Sequence, residues 1–211
     1  MVALNTFQQA DHPMLAAATH DERSRQEFTK SLRGYIQREI LPGLTPLFAK
    51  ASKDARSQGV DLQSRHDVRK AIRGEPYFQV YAALVRSTQE MLWHSVIDSV
   101  EHDWPRLSAD VAAQEHRGGE LRLDPGMEVP RYVTALDIHC MPGGYASRDA
   151  EQFAAGALYE RGVYLYGMGY GGPFNDGKGR SVCNYIRKNL PDFAPKRIID
   201  MGCTVGHSTL P

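Results

Sequence analysis

The residues best suited to chemistry stand in the last stretch of the sequence, Lys196-Arg-Ile-Ile-Asp-Met-Gly-Cys-Thr-Val-Gly-His-Ser-Thr-Leu-Pro211. Ile198 and Ile199 read as a buried strand that runs into Asp200 and then into a loop with Gly202 and Gly206. His207 and the two hydroxyl residues after it are placed to open a helix. Glycines let a backbone turn sharply and approach a ligand, and a helix N-terminus offers free N–H groups beside it. An acid at the strand end can accept hydrogen bonds from a ligand amine or hydroxyl. A dinucleotide loop would need glycine at 202, 204 and 207, and Thr204 and His207 occupy the last two places. A phosphate loop fails as well, with His207 where its lysine belongs and Met201 where its first glycine belongs.

The string of two isoleucines, Asp200, Met201, Gly202, Cys203, two further residues and Gly206 resembles motif I of the class I S-adenosylmethionine-dependent methyltransferases. Asp200 matches the acidic position of that motif, Gly202 its first glycine, Cys203 a common variant after it and Gly206 its last glycine. Thr204 departs from the more frequent middle glycine. The resemblance implies a Rossmann-like cofactor domain that begins at this segment, with S-adenosylmethionine as cofactor. It implies Asp200, Gly202, Cys203, Thr204 and Gly206 as the cofactor-binding residues and a small molecule as the methyl acceptor. It also implies an N-terminal helical region that covers the cofactor and shapes the substrate pocket, with Tyr159, Tyr164 and Tyr166 as residues that close over the ligand or pack the core. His139 and His207 are the candidates for a base. Because motif I is the first strand of such a domain, the resemblance further implies that the sequence is the N-terminal piece of a longer enzyme, binding the cofactor weakly or not at all by itself.

Three other constellations carry weaker signals. Asp137 and His139 alternate with Leu136 and Ile138, so they share one strand face and could begin a metal site, but no third ligand is evident. Glu90, His94, Asp98 and His102 recur every fourth residue on a helix. His94 points nearly opposite the apolar stripe, so the group reads as a solvated face rather than a metal site. Gly167-Met-Gly-Tyr-Gly-Gly172 is a literal GxGxxG, but Pro173, Phe174, Asn175 and Asp176 follow it as turn residues where the fingerprint needs a helix. His12, His20, His66 and His116 read as surface residues.

Helices must position these groups in the first part of the chain. Thr19 and Glu22, and again Ser64 and Asp67, have the spacing of a capping box. Phe28, Leu32, Tyr35, Ile36 and Ile40 repeat at steps of three and four along a first helix, which Pro42 stops. Thr45 and Pro46 start a second, Gly59 and Gly74 mark helix ends, and Pro76 opens the longest one, reaching about Trp104 with Tyr81, Leu84, Val85, Leu92 and Val96 as its stripe. After residue 118 the signals turn mixed: 131–140 and 163–166 read as strands, 149–161 as a helix. A last helix starts near Gly179 or Arg180 with Val182, Ile186 and Leu190 spaced by four. The expected fold is a mainly α region over 1–117, a mixed α/β connecting segment over 118–196, and over 197–211 the first strand and glycine-rich loop of a Rossmann-like domain.

Composition narrows the partners. The 211 residues carry 25 basic and 25 acidic side chains, and the balance holds on both sides of residue 117, so no basic block marks a nucleic-acid or anionic-membrane footprint. No apolar run approaches the ~20 residues of a membrane-spanning helix, and the N-terminus lacks the pattern of a signal peptide. Cys140, Cys183 and Cys203 are odd in number and far apart, against a disulfide framework and for a reducing cytoplasm. Homo-oligomerisation stays open. Of 19 glycines, 15 fall from residue 118 onward, which separates a helical from a loop-rich half. Besides the methyltransferase reading stand a non-enzymatic helical interaction module and a metal-dependent enzyme built on Asp137 and His139.

Overall fold

A computed structural model describes residues 8–113, 120, 122, 124, 126–144 and 153–209. His116 and the first residues of the 149–161 helix lie outside them. Among the described residues eight α-helices follow one another: α1 (His20–Tyr35), α2 (Leu44–Ser57), α3 (Arg65–Ile72), α4 (Pro76–His102), α5 (Trp104–Ala113), the single turn α6 (Arg131–Thr134), α7 (Ala154–Tyr166) and α8 (Gly177–Asn189). Both capping boxes form as their spacing predicts: the hydroxyls of Thr19 and Ser64 accept from the backbone N–H of Glu22 and Asp67, whose carboxylates reach back. Pro76 sits in the first turn of α4, where its missing N–H costs nothing. No helix among the described residues is long and apolar enough to cross a membrane.

The centre of the molecule is a three-helix core of α1, α4 and α7. Leu92, Trp93, Val96 and Val100 of α4 meet Ala157, Tyr164 and Leu165 of α7, with Leu107 and Met141 closing the cluster. Each fully buried aliphatic side chain here contributes about 1.5–3 kcal/mol. Gly162 sets the spacing of α4 and α7, since a Cβ at that position would stand 2.3 Å from the Trp93 ring.

α1 meets this core with a polar face. Glu22, Gln26, Thr29 and Arg33 are its buried residues, whereas Phe28 and Tyr35, expected on the apolar stripe, are 59% and 52% exposed. Glu22 and Gln26 are satisfied in a chain of hydrogen bonds, as burial demands, while Arg33 Nε is left without a partner among the described residues. Ser99 Oγ donates to Glu22 Oε2 at 3.1 Å, Gln26 Nε2 donates to Ser99 Oγ at 2.9 Å, and Arg161 Nε donates to Gln26 Oε1 at 2.8 Å. From Arg161 the chain passes to Gln9 Oε1 at 3.0 Å, and Gln9 Nε2 donates to Glu160 Oε1 at 2.8 Å.

The expected α/β half is absent: the described residues form helices and turns and no strand. Residues 163–166 are the last turn of α7, because Ala157, Glu160, Tyr164 and Leu165 are buried at helical steps of three and four. Their β-branched and aromatic types favour a strand only where a pleated neighbour receives them. Residues 131–140 break into α6 and a short 3-10 turn over Ile138–Cys140. His139 and Cys140 have φ of 58° and 56°, which no strand ladder accommodates. Ile198 and Ile199 are 81% and 84% exposed and have no ladder partner, and a strand exists only through its neighbour's hydrogen bonds. Turns, not a helix, continue through Thr209, so the Rossmann-like start is not the architecture of this chain.

Candidate functional site

Three chain segments remote in sequence converge on the Glu160 carboxylate. Helix periodicity turns Glu160 inward from the middle of α7, where its side chain is 11% exposed. Gln9 Nε2 and His12 Nε2, from the segment before α1, stand 2.8 and 3.3 Å from Oε1. His207 Nε2, from the glycine loop, stands 2.7 Å from Oε2. The other nitrogen of His207, Nδ1, lies 3.3 Å from Asn175 Nδ2. Both imidazole nitrogens are therefore within hydrogen-bond distance of a partner. Burial opposes ionisation of Glu160, but the hydrogen bond and charge of His207, with those of His12 behind them, hold its carboxyl below the ordinary value.

His12, Glu160 and His207 edge a cavity of about 590 Å3. Its apolar walls include Met14, Phe153 and Phe174, and its loop side is Val205, Gly206 and His207. Phe153 is fixed from behind by stacking on Trp104, ring centroids 4.5 Å apart and nearly parallel. Asp176 and Arg180 complete the polar rim as an ion pair of 2.6 Å within one helical turn. A mostly apolar concavity with a few converging polar groups is the usual form of a small-molecule site.

The loop resembling motif I is thus joined to the cavity through its last residues. Gly202 and Gly206 take φ of 74° and 87°, and Thr204 between them takes 52°. The space beside Gly202 is open, so its backbone can be approached closely. Asp200 is exposed and accepts a hydrogen bond from the Thr209 hydroxyl. Cys203 is exposed, and its carbonyl accepts from Gly206 N–H at 2.9 Å and from Thr204 Oγ1 at 2.7 Å.

His139, Asp137 and the α4 tetrad stand elsewhere. The His139 carbonyl is pinned to α4 by Gln89 Nε2 at 3.1 Å and Trp93 Nε1 at 2.9 Å, and its residue does not line the cavity. No group of three or more His, Cys, Asp or Glu side chains able to hold a metal occurs among the described residues. His94 is exposed, Glu90 pairs with Arg86 and Asp98 with Arg25. The GxGxxG segment is the turn between α7 and α8. Tyr164 is buried in the core, while Tyr166 is half exposed beneath the Arg33 guanidinium at 4.3 Å. No disulfide joins the three cysteines.

The residues missed in the sequence are His12, expected at the surface, and Glu160 with Gln9. The one local signal for Glu160 is an acid among inward-facing apolar residues of α7. Comparison with protein-family models, curated proteins and solved structures finds no match for this chain.

Proposed function

We propose that this chain takes part in S-adenosylmethionine-dependent methyl transfer to a small molecule, with the 200–206 loop as the cofactor-binding element. One observation carries the reading: the loop whose residues match the methyltransferase motif is the loop whose Val205, Gly206 and His207 close the 590 Å3 cavity. The residues fit the cofactor's demands. Gly202 leaves open backbone, Asp200 presents an exposed carboxylate, and the positive φ at Gly202 and Gly206 produces the turns that let a ligand lie against the main chain.

The cofactor, when bound, supplies an electrophilic methyl group on sulfur that an acceptor nucleophile takes by in-line displacement. The chain's own contribution is orientation and exclusion of water, the main source of rate in such a displacement. Phe153, Phe174 and Met14 provide the dry wall. His207, with both nitrogens engaged, holds the loop on α7 through Glu160 instead of taking the acceptor's proton. Gly206 lines the cavity, and Asp200, Gly202, Cys203 and Thr204, on the loop that leads into it, would hold the cofactor.

The test is a titration of the 15N-labelled 211-residue chain with S-adenosylhomocysteine to millimolar concentration. Saturable shifts confined to 200–207 and the cavity residues are expected. A spectrum unchanged across those residues would sink the reading and leave the helical interaction module, which the exposure of Ile198, Ile199 and Met201 favours, as the better account.

A further inference from the structure

A second cavity, of about 710 Å3, lies on the other side of the segment that carries Gln9 and His12, and His12 lines both. Its floor is Arg161, whose side chain is 13% exposed. Two of the guanidinium's donors go to the neutral amide oxygens of Gln26 and Gln9, which bring no counter-charge. Glu27 is the carboxylate in ion-pair range, at 3.7 Å from Nη2, and it is shared with Lys30 at 2.5 Å. Arg23, one turn before Glu27 on α1, also lines the cavity, and its guanidinium reaches a carbonyl oxygen, that of Ala18, at 3.5 Å. Arg106, on the same wall, is already neutralised by Asp103 and Asp110.

Arg23, Lys30 and Arg161 therefore face the cavity against Asp11 and Glu27, a surplus of positive charge around an open volume. Burial lowers the pKa of the Arg161 guanidinium and the neighbouring Arg23 charge lowers it further, while Glu27 and Tyr164 oppose them. Two like charges on one concave wall repel each other, and an anion between them removes that cost. Guanidinium edges match planar or tetrahedral oxyanions with paired N–H donors.

We propose that this cavity binds the carboxylate or phosphate group of a small molecule, held between Arg161 Nη2 and the Arg23 guanidinium. The proposal does not depend on the methyl-transfer reading. The rest of such a ligand would extend past His12, toward the wall shared with the first cavity.

The test follows the arginine Nε–Hε resonances of the labelled 211-residue chain during separate titrations with sodium acetate and sodium phosphate, at ionic strength held constant with chloride. A saturable shift of the Arg161 and Arg23 signals with either anion, absent with chloride alone, is expected. Saturation by one anion only would support the site and fix its class. Because Arg23 is exposed, Arg23→Gln leaves the fold intact, and it is expected to weaken the anion about tenfold, the loss of one charge-assisted hydrogen bond. No saturable shift with acetate or phosphate, or equal affinity in Arg23→Gln, would overturn the proposal. Failure of S-adenosylhomocysteine to bind the loop would leave it untouched.

Discussion

His207 Nε2 lies 2.7 Å from Glu160 Oε2, and this contact is the fastening between the glycine loop and the helical core. The carboxylate it meets also receives Gln9 and His12, so one buried charge ties the segment before α1, the middle of α7 and the loop together. Removing that charge should loosen both outer segments at once. Glu160→Gln keeps the shape and loses the charge, and is expected to destabilise the chain at neutral pH by about 1–3 kcal/mol in urea denaturation. Amide exchange should quicken in residues 8–18 and 200–207 before it does in α4.

The same carboxylate gives stability a pH dependence of defined sign. Its pKa is below the ordinary 4.5 in the fold, so the folded state binds this proton more weakly than the unfolded chain does. Stability from Glu160 is complete above that ordinary value and is lost as the pH falls through the lower, folded one. Urea midpoints measured from about pH 6 down to pH 3 should therefore fall more steeply for the native chain than for Glu160→Gln. Glu22 and Asp103, whose carboxyls are also held low, provide the decline common to both. Parallel curves would show that Glu160 carries no folding-linked charge.

Gly162 offers a test of the core. A methyl group there would stand 2.3 Å from the Trp93 ring, whose Nε1 holds the His139 carbonyl. Gly162→Ala is expected to cost about 1–3 kcal/mol by overpacking. The tryptophan emission should shift to the red as the ring is displaced, with the 138–141 turn released alongside it.

What the sequence disclosed and what it hid follow from where each interaction is made. The capping boxes at Thr19 and Ser64 and the start of α4 at Pro76 depend on neighbours within one turn, so they could be read directly. The buried face of α1 could not, because Glu22, Gln26 and Arg33 are polar and enter the interior only where Ser99, Arg161 and Thr88 receive them. Residues 163–166 looked like a strand because their types are those of strands, and burial against α4 decided otherwise. The loop residues at 200–206 were legible as a pattern, and Gly206 and His207 do reach a cavity. Glu160 and His12 were hidden, since 148 residues separate them and no local pattern joins them.

Thr204 is where the motif resemblance and the backbone geometry meet. It stands where the family pattern more often has glycine, and its φ of 52° is the left-handed conformation that glycine adopts freely and a β-branched residue does not. Thr204→Gly removes strain of about 1–2 kcal/mol but gives the unfolded chain more freedom, worth about 0.4–1 kcal/mol. The difference is a net stabilisation of up to about 1.6 kcal/mol, so the unfolding midpoint should hold or rise. The loop, relieved of its side chain, should respond to S-adenosylhomocysteine at least as strongly as the native one. Gly206→Ala is the converse, since φ of 87° there strains any side chain. It should leave α1, α4 and α7 intact by circular dichroism while weakening the loop's response and lengthening the His207–Glu160 contact. Thr204→Gly that abolishes the response, or Gly206→Ala that leaves it unchanged, would refute the link between this backbone shape and ligand binding.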